Sequence, residues 1–499
     1  MTPEPVTSEP VAPAASPSAD PPAPARRPAP EVPVPKGERV FCHRCGQASR
    51  LAQAFTDQHR LLGRKVSVCP ECMQREGNQG SRGSVFFLVG APLIGGLTLV
   101  AGFPTGWWLV NLGILYFWFV LVVPLHELGH LAVARLLGLD VPRVILGSGK
   151  EMGTVRFLGT RWHLHRRPFS GLTFNLHRRL RGFKWRHWLV VLGGPAVNLL
   201  LVWVVSQGMG FGPGDIVGVF EERPEPWRAL LAANVLCLVV SLLPYRTTSA
   251  IGLQMTDGMQ LLTIPFWKPA MVEAAVAGSY VLEAQDRLDA EDREGFERTK
   301  GAGLELFPDH PILTNLAAVG DLEYGRFDRA RESFVELLEG TNSEEPLMVA
   351  MLANNIAWAN VMLEEPALLE EADALSATAV DLLPWERPLL GTRGVVLVLL
   401  NRLDEGTALI TRALEMESTD RRRAPGLAAL GIAYARSGDP ARGREYLDQA
   451  RQLAPRDPSL EVLGRWFESA SAGADGRGLS PTPPASPAES YETTKEEPR

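Results

Sequence analysis

The stretch Val122-Val123-Pro124-Leu125-His126-Glu127-Leu128-Gly129-His130-Leu131-Ala132 combines a metal-binding pattern with an apolar run long enough to cross a bilayer. On a helix, His126 and His130 share a face, so their imidazoles can hold one zinc ion, and Glu127 beside them can act as a general base. Strongly polar groups deep in a membrane helix cost roughly 2.5–3.5 kcal/mol each. The cluster therefore predicts a bound cation that offsets this cost.

The composition indicates several unlike parts. A chain of 499 residues is expected to hold more than one domain, and its 45% hydrophobic residues are concentrated in the middle. The net charge of −7 gives no reason to expect nucleic acid as a partner. The Pro-rich N-terminus has no apolar core of a signal peptide, so we expect no cleaved leader.

Four apolar segments predict about four membrane spans. They run from Val85 to about Phe103, from Trp107 to about Leu139, from Trp188 to about Gln207, and from Trp227 to Pro244. Each holds about the twenty apolar residues that a bilayer requires. Tryptophans near several of the segment ends are typical of membrane interfaces.

Loop charge predicts the orientation of these spans. The loop between the second and third spans is strongly basic; its cations are Arg143, Lys150, Arg156, Arg161, Arg166, Arg167, Arg178, Arg179, Arg181, Lys184 and Arg186. The loop between the third and fourth spans is mostly acidic. By the positive-inside rule the basic loop is cytoplasmic, which places both terminal parts of the chain in the cytoplasm.

The basic loop also has strand character over residues 143–147, 154–158 and 162–164, with glycines between these stretches. We therefore expect hairpins at the membrane surface. An edge strand of such a hairpin could bind an extended peptide by adding it to the sheet.

Two Cys-x-x-Cys pairs lie before the first span. Cys42 and Cys45 form the first pair, and Cys69 and Cys72 the second. Four thiolates suit one tetrahedral zinc ion, and four Cys ligands are typical of a closed structural site. Two unrelated reduced pairs remain the alternative. We predict a small zinc ribbon that does not take part in catalysis.

The C-terminal part, from about Met271 to Phe467, is helical and repetitive. Its clearest unit contains Leu430, Gly431, Tyr434, Gly438, Gly443, Leu447, Ala450 and Pro455, the spacing of a tetratricopeptide repeat. We predict four or five such helix–turn–helix units, with an irregular bundle as the alternative. A repeat array of this kind offers a surface for a protein partner.

A zinc site built on two histidines needs a third ligand from the protein. Asp257 is the first carboxylate after the fourth apolar segment and precedes a half-apolar helix. It is therefore the candidate ligand, although a plain helix N-cap explains the same spacing.

Three motifs in order resemble the site-2 protease family of intramembrane zinc metalloproteases. They are His126-Glu-Leu-Gly-His130, Gly193-Gly-Pro-Ala-Val-Asn198, and a Leu-Leu-Pro followed by Asp257-Gly. The resemblance covers roughly residues 107–265, and the ribbon and repeats lie outside it.

The resemblance implies that His126, His130 and Asp257 bind a catalytic zinc ion and that Glu127 activates water. It also implies that Asn198 faces the active site and holds the substrate backbone, for which an interhelical hydrogen bond is the alternative. Two departures concern the third motif. Ser241 stands where many members have Asn, and the link from Pro244 to Asp257 is long.

The predicted fold is mainly α, with a polytopic membrane helix core, a small zinc ribbon and a cytoplasmic helical repeat domain. The predicted parts are a disordered Pro-rich tail over 1–38, the ribbon over 39–78, the metalloprotease core over 84–268, the repeats over 271–467, and a disordered tail over 470–499.

The predicted function is a zinc-dependent intramembrane endopeptidase that acts in regulated proteolysis or signalling. It holds one catalytic and one structural zinc ion. Its expected partners are a membrane-protein substrate, a protein bound by the repeats, and the lipid bilayer. Its expected location is a bacterial cytoplasmic membrane. The alternative is a catalytically silent, membrane-anchored scaffold that binds proteins through its repeats.

Overall fold

The computed structural model describes residues 27–33, 39–50, 56–59, 65–72, 86–217, 225–249, 252–342, 345–417 and 419–474. Helices dominate these residues, and the sheets among them are two-stranded. The predicted mainly α class, with apolar helices followed by helical repeats, is confirmed. Most of the N-terminal tail, the C-terminal tail from residue 475, and most of the acidic loop after residue 217 lie outside the described residues.

Two short hairpins carry the four cysteines. β1 (Val40–Phe41) pairs antiparallel with β2 (Ala48–Ser49), and β3 (Thr56–His59) pairs antiparallel with β4 (Lys65–Val68). One Cys pair follows β1 and the other follows β4. Between β1 and β2 the chain turns at Gly46, whose φ of 73° lies in the left-handed region that glycine favours.

The apolar middle of the chain is helical. Its helices are α1 (Ala91–Val100), which continues a π-helical turn at Phe86–Gly90, α2 (Gly106–Leu136), α3 (Phe183–Met209), the short α4 (Pro213–Val217) and α5 (Pro226–Leu242). In the described part of the chain, α2 and α3 are long and apolar enough to cross a membrane, while residues 86–100 and α5 are apolar but shorter. The count of about four spans stays a prediction.

Most residues of the two long apolar helices are only partly buried within the protein. Only 28% of the most apolar stretch of α2 and 39% of that of α3 is buried. The core helix of a soluble protein would be buried, whereas large exposed apolar surfaces mark contact with a membrane or a partner. The incomplete burial of these helices is compatible with contact with lipid.

Glycines set the distance between α2 and α3. A Cβ added at Gly129 would lie 2.3 Å from the Gly193 carbonyl oxygen, and one at Gly193 would lie 2.5 Å from the Gly129 carbonyl oxygen. The backbones of the two helices therefore touch at this point. Helix α3 remains continuous through Pro195, so Gly193 serves close packing here and not a break in the helix.

The basic loop between α2 and α3 forms a sheet of β5 (Asp140–Phe157) and β6 (Thr160–Leu176), in which four segments of the two long strands lie side by side. Residues 143–146 pair with 171–174 on one side and with 161–164 on the other. Residues 161–164 also pair with 153–156. The order across the sheet is therefore 171–174, 143–146, 161–164 and 153–156. Among these described residues, 171–174 thus form an edge of the sheet. The sheet packs on α2 through a core that includes Leu131, Val144 and Trp162.

After α5, β7 (Arg246–Ser249) pairs with β8 (Gly252–Met255), and α6 (Asp257–Thr263) follows, extended by a 3-10 turn at Ile264–Phe266. The helical repeats come next. They consist of α7 (Pro269–Asp289), α8 (Arg293–Leu306), α9 (Pro311–Glu323), α10 (Phe327–Gly340), α11 (Pro346–Met362), α12 (Pro366–Leu382), α13 (Arg387–Leu399), α14 (Leu403–Met416), α15 (Asp420–Arg436), α16 (Pro440–Leu453) and α17 (Ser459–Ala474).

Consecutive repeat helices pack as pairs, and small residues lie where the two helices of a pair meet. A Cβ at Gly431 in α15 would lie 2.6 Å from the Gly443 carbonyl oxygen in α16. In the preceding pair, a Cβ at Gly394 would lie 2.9 Å from the Gly406 carbonyl oxygen. The two helices of each pair therefore approach closely at these glycines.

The repeats contact both other parts of the protein. On the ribbon side, Ser49 Oγ donates a hydrogen bond of 2.5 Å to the Leu382 carbonyl, and Arg412 forms an ion pair of 2.7 Å with the buried Glu71. On the membrane side, Arg161 of the sheet pairs with Asp286 of α7 at 2.8 Å. The ribbon and the sheet are thus both attached to the repeat array.

The α2–α3 contact predicts a difference between two glycines of the same helix. Gly193→Ala places a methyl group against the backbone of α2, which we expect to destabilise the membrane core by about 1–3 kcal/mol. Gly208→Ala adds the same group where nothing lies within 4 Å. Thermal unfolding in detergent should show a lower midpoint for Gly193→Ala alone. Equal midpoints would contradict the contact.

Candidate active site and metal centres

The four cysteines of the ribbon converge on one point. Their sulfur atoms all lie within 4.8 Å of one another, and the Sγ atoms of Cys45 and Cys69 are 3.6 Å apart. All four are free thiols. Tetrahedral zinc with Zn–S bonds of about 2.3 Å places sulfurs roughly 3.8 Å apart, so this donor set fits the ion.

Burial makes the thiols unequal. It raises the pKa of the Cys72 thiol to about 11. Burial also opposes ionisation of Cys42, but backbone N–H groups, first that of Cys69, lower its pKa to about 6. The Cys69 amide lies 3.3 Å from the Cys42 sulfur. Such N–H donors stabilise a thiolate, which is the form that binds metal.

Helix α2 brings the histidines of the second site together. His126 and His130 are one turn apart, both are buried, and their ring centroids are 4.8 Å apart. The Nε2 atoms of the two rings face each other at 3.1 Å. Two ring nitrogens directed at one point are the arrangement that a shared cation requires.

Asp257 meets both histidines from the start of α6. One carboxylate oxygen lies 2.9 Å from His126 Nε2 and the other lies 3.6 Å from His130 Nε2. The N-cap of α6 is Thr256, whose side chain accepts a hydrogen bond from the Met259 amide. The plain N-cap explanation for Asp257 is therefore wrong in this structure.

The long link before Asp257 closes on itself. Because β7 and β8 pair with each other, Tyr245 and Thr256 come together, and the Thr256 amide donates to the Tyr245 carbonyl at 3.2 Å. A Cβ at Gly258 would lie 1.9 Å from the Leu242 carbonyl oxygen, so α6 starts directly against the end of α5. The extra residues therefore do not move Asp257 away from the histidines.

Hydrogen bonds fix the orientation of both rings. His126 Nδ1 lies 2.5 Å from Asn198 Oδ1, and His130 Nδ1 lies 2.7 Å from the Val190 carbonyl oxygen. The Asn198 and Val190 oxygens accept hydrogen bonds from Nδ1–H groups, and that tautomer leaves each Nε2 lone pair for the shared point. This is how protein groups behind a metal ligand usually set its tautomer. The Gly194 amide also lies 3.3 Å from His130 Nδ1 and donates to it in the other tautomer.

Asn198 is fully buried and forms interhelical hydrogen bonds. Besides its contact with His126, its Nδ2 donates to Asn234 Oδ1 of α5 at 3.1 Å. The structure thus contains the interhelical hydrogen bond that the sequence analysis gave as the alternative explanation for Asn198. Asn234 was not singled out from the sequence, although a buried amide in an apolar span is a recognisable signal. Ser241 bonds within its own helix, to the Leu238 carbonyl.

Glu127 lies under the edge strand of the sheet. Its side chain is buried, and Thr173 Oγ1 donates to its Oε2 at 2.6 Å. A Cβ at Gly171 would lie 2.2 Å from Glu127 Oε1. The sequence indicated strands in this loop, but it did not indicate that Gly171 and Thr173 contact the carboxylate.

Gly194 of α3 lies directly against the ring nitrogens of both histidines. A Cβ there would lie 2.4 Å from His130 Nε2 and 2.5 Å from His126 Nε2. Any larger residue would therefore occupy the space in front of the two ring nitrogens. The glycine leaves this space open to a ligand of the histidines.

The three donor atoms fit zinc. Bonds of about 2.0–2.1 Å in a tetrahedron place ligand atoms roughly 3.3 Å apart. The separations of 3.1 Å between the imidazole nitrogens and of 2.9 Å and 3.6 Å to the carboxylate lie around this value. The set of two imidazoles and one carboxylate is that of catalytic zinc sites with one open position.

Among solved structures, a thermophilic TPR protein of Thermus thermophilus is 23% identical to this chain, with 39% of this chain and 98% of that chain covered and a TM-score of 0.29. No curated protein matches the chain. The model of peptidase family M50, the family of the site-2 proteases, matches residues 114–385. This match begins within α2, includes α3, α5 and Asp257, and extends into the repeats. The chain therefore belongs to peptidase family M50.

Proposed function

We propose that this membrane metalloprotease is a zinc-dependent intramembrane endopeptidase that cuts transmembrane or membrane-proximal segments of other membrane proteins. The observation that carries the proposal is a buried cluster of two imidazoles and one carboxylate, with Glu127 beside it, on an apolar helix with lipid-type exposure. A long apolar helix that is only partly buried is not expected for the active site of a soluble protease.

His126, His130 and Asp257 are the residues that would hold the ion. Zinc bound there supplies a Lewis acid that acidifies water and polarises a peptide carbonyl. The protein's own part is to keep both imidazoles neutral at Nε2. The Asn198 and Val190 oxygens favour this state by accepting hydrogen bonds from Nδ1–H. Asn198 is on this proposal a positioning residue.

Glu127 is the proposed general base. It takes a proton from the attacking water while the water oxygen bonds to the carbonyl carbon of the substrate. When the C–N bond breaks, Glu127 gives that proton to the leaving amine. The hydrogen bond from Thr173 holds the carboxylate in one orientation before the reaction.

The substrate has to be extended before it can react. A transmembrane helix satisfies its backbone hydrogen bonds internally, so its carbonyls are not open to attack. The edge residues 171–174, of which Gly171 and Thr173 contact Glu127, offer backbone groups to an unwound segment. We propose that the substrate pairs with this edge as an added strand.

The basic loop and the sheet that it forms support a cytoplasmic position for the active-site end of α2. The contacts of the ribbon and the sheet with the repeats support the same side for all of these parts. A role in regulated proteolysis or signalling and a bacterial cytoplasmic membrane stay predictions from the sequence.

Replacing the base should separate metal binding from turnover. Glu127→Gln keeps the size of the side chain and leaves all three metal ligands, so zinc content should remain while cleavage falls by about 10²–10⁴-fold. A reconstituted panel of single-span membrane proteins, probed for cut fragments by mass spectrometry, gives the readout. Equal cleavage by both proteins, or by neither, would favour the silent scaffold.

The zinc content should divide between two independent sites. We expect two zinc ions per wild-type chain, one after His126→Ala with His130→Ala, and one after Cys42→Ser with Cys45→Ser. Only the histidine pair should abolish cleavage outright. Elemental analysis of purified protein measures this, and one variant that loses both ions would contradict independent sites.

The two edges of the sheet provide a matched pair of glycines, Gly171 on one edge and Gly153 on the other. Gly171→Ala pushes a methyl group into the Glu127 carboxylate, so we expect cleavage to fall at least ten-fold while zinc remains bound. Gly153→Ala, on the opposite edge of the same sheet, has nothing within 4 Å and should leave cleavage unchanged. If both variants cleave like wild type, the close contact of Gly171 with the Glu127 carboxylate does not matter for catalysis.

A further inference from the structure

We propose that Arg331 and its neighbours in the repeat array form a binding site for an extended, proline-containing peptide. In this structure residues 27–33 of the same chain fill the site. A partner segment of the same chemistry would then compete with them. The proposal concerns the repeats alone and does not rest on the protease activity.

The site is built around a buried cation. Arg331 of α10 has a side chain that is 2% exposed. Its Nε donates to Asn360 Oδ1 of α11 at 2.6 Å, and its Nη2 donates to Glu371 Oε1 of α12 at 2.7 Å. Asn360 Nδ2 also donates to that Glu371 oxygen, at 3.0 Å. Three helices therefore fix the guanidinium in one orientation, and Glu371 balances its charge.

The remaining end of the guanidinium points at a peptide carbonyl. Arg331 Nη1 donates to the main-chain oxygen of Arg27 at 2.7 Å. An arginine has five N–H donors in a rigid fork, so the two bonds inside the array leave donors for a ligand. Because the ligand atom here is a backbone oxygen, the contact selects a peptide and not a particular side chain.

The rest of the segment adds apolar and ionic contacts. Ala29 and Val32 pack against the hydrophobic core of the repeats, and the Arg27 guanidinium pairs with Glu339 of α10. Glu31, between the apolar residues, is exposed. The segment thus has one side against the array and one side in water.

Proline explains why this segment suits the site. The stretch reads Arg27-Pro28-Ala29-Pro30-Glu31-Val32-Pro33, so Arg27, Ala29 and Val32 each precede a proline. A residue before proline is restricted to extended backbone, which lowers the entropy lost on binding. In an extended helix of three residues per turn, Ala29 and Val32 lie on the same face. Arg27, Ala29 and Val32, which all contact the array, are therefore all restrained by the proline that follows them.

The contacts also indicate that the segment can leave. Residues 27–33 form no helix and pair with no strand. When they leave, the bonds from Arg331 to Asn360 and Glu371 remain, so the site keeps its shape and presents its outer N–H groups to the next ligand. The ribbon has its own attachments to the array, through Glu71 and Ser49, and does not have to follow.

Binding of a labelled peptide tests this on the full chain in detergent. The probe is a fluorescein-labelled peptide with the sequence of residues 25–35, followed by fluorescence anisotropy. Ala29→Glu with Val32→Glu in the chain should expel the internal segment. The probe should then bind at least ten-fold more tightly than to wild type, because it no longer competes with residues 27–33.

Two further substitutions in that expelled chain locate the site. Arg331→Met should weaken probe binding at least ten-fold. Arg329→Met removes the same charge from the same helix at a position that is 76% exposed, and should leave binding unchanged. Arg331→Lys keeps the buried charge but lacks the forked guanidinium, and should also weaken probe binding. It replaces Arg331→Met in the test if Arg331→Met lowers the melting temperature of the chain.

Changes in the probe give a test that leaves the protein untouched. A peptide with Glu at positions 29 and 32 should not bind the expelled chain, while a peptide with Ala in place of Glu31 should bind as well as the original. The proposal is overturned if the probe binds wild type and the expelled chain equally, if it binds neither, or if binding ignores both Arg331 variants.

Discussion

Two imidazole nitrogens that face each other at 3.1 Å inside an apolar helix bundle are the constraint on which the membrane core depends. When neither Nε2 carries a proton, their lone pairs repel unless a cation lies between them and the Asp257 carboxylate. The space for it exists because Gly194 has no side chain, and α3 lies this close to α2 because Gly129 and Gly193 let the backbones touch. The same close packing of α2 and α3 that the glycines permit therefore also forms the space for a metal ion.

The sheet links access to the site with alignment of the substrate. Edge residues 171–174 cover the Glu127 carboxylate, and their outer backbone groups lie next to it. A segment that pairs with this edge would pass close to the base and to the metal ligands. One strand can thus shield the buried carboxylate in the resting protein and position a peptide when one is bound.

Local patterns in the sequence predicted the local parts of the site. The spacing of His126 and His130 requires only a helix, and the repeat glycines require only paired helices. The partners that orient the histidines were missed or read differently, because Asn234 and the Val190 carbonyl reach the site through packing of three helices. The long link before Asp257 raised doubt, yet it folds into a hairpin that a count of residues does not reveal.

Contacts between the parts bear on the predicted number of spans. The ribbon precedes α1, the sheet lies between α2 and α3, and the repeats follow α5, yet the repeats contact both others. These contacts agree with the prediction that all three parts lie on one side of the membrane. If α2 and α3 both cross the bilayer, the sheet returns to the ribbon's side only when the segment with α1 also crosses. The repeats return to it only when α5 crosses too. At 17 residues, α5 is at the short end of a span, and local thinning of the bilayer can accommodate the shorter α1 segment. The contacts of the three parts therefore favour the predicted four spans, two of which are helices too short to be identified as spans on length alone.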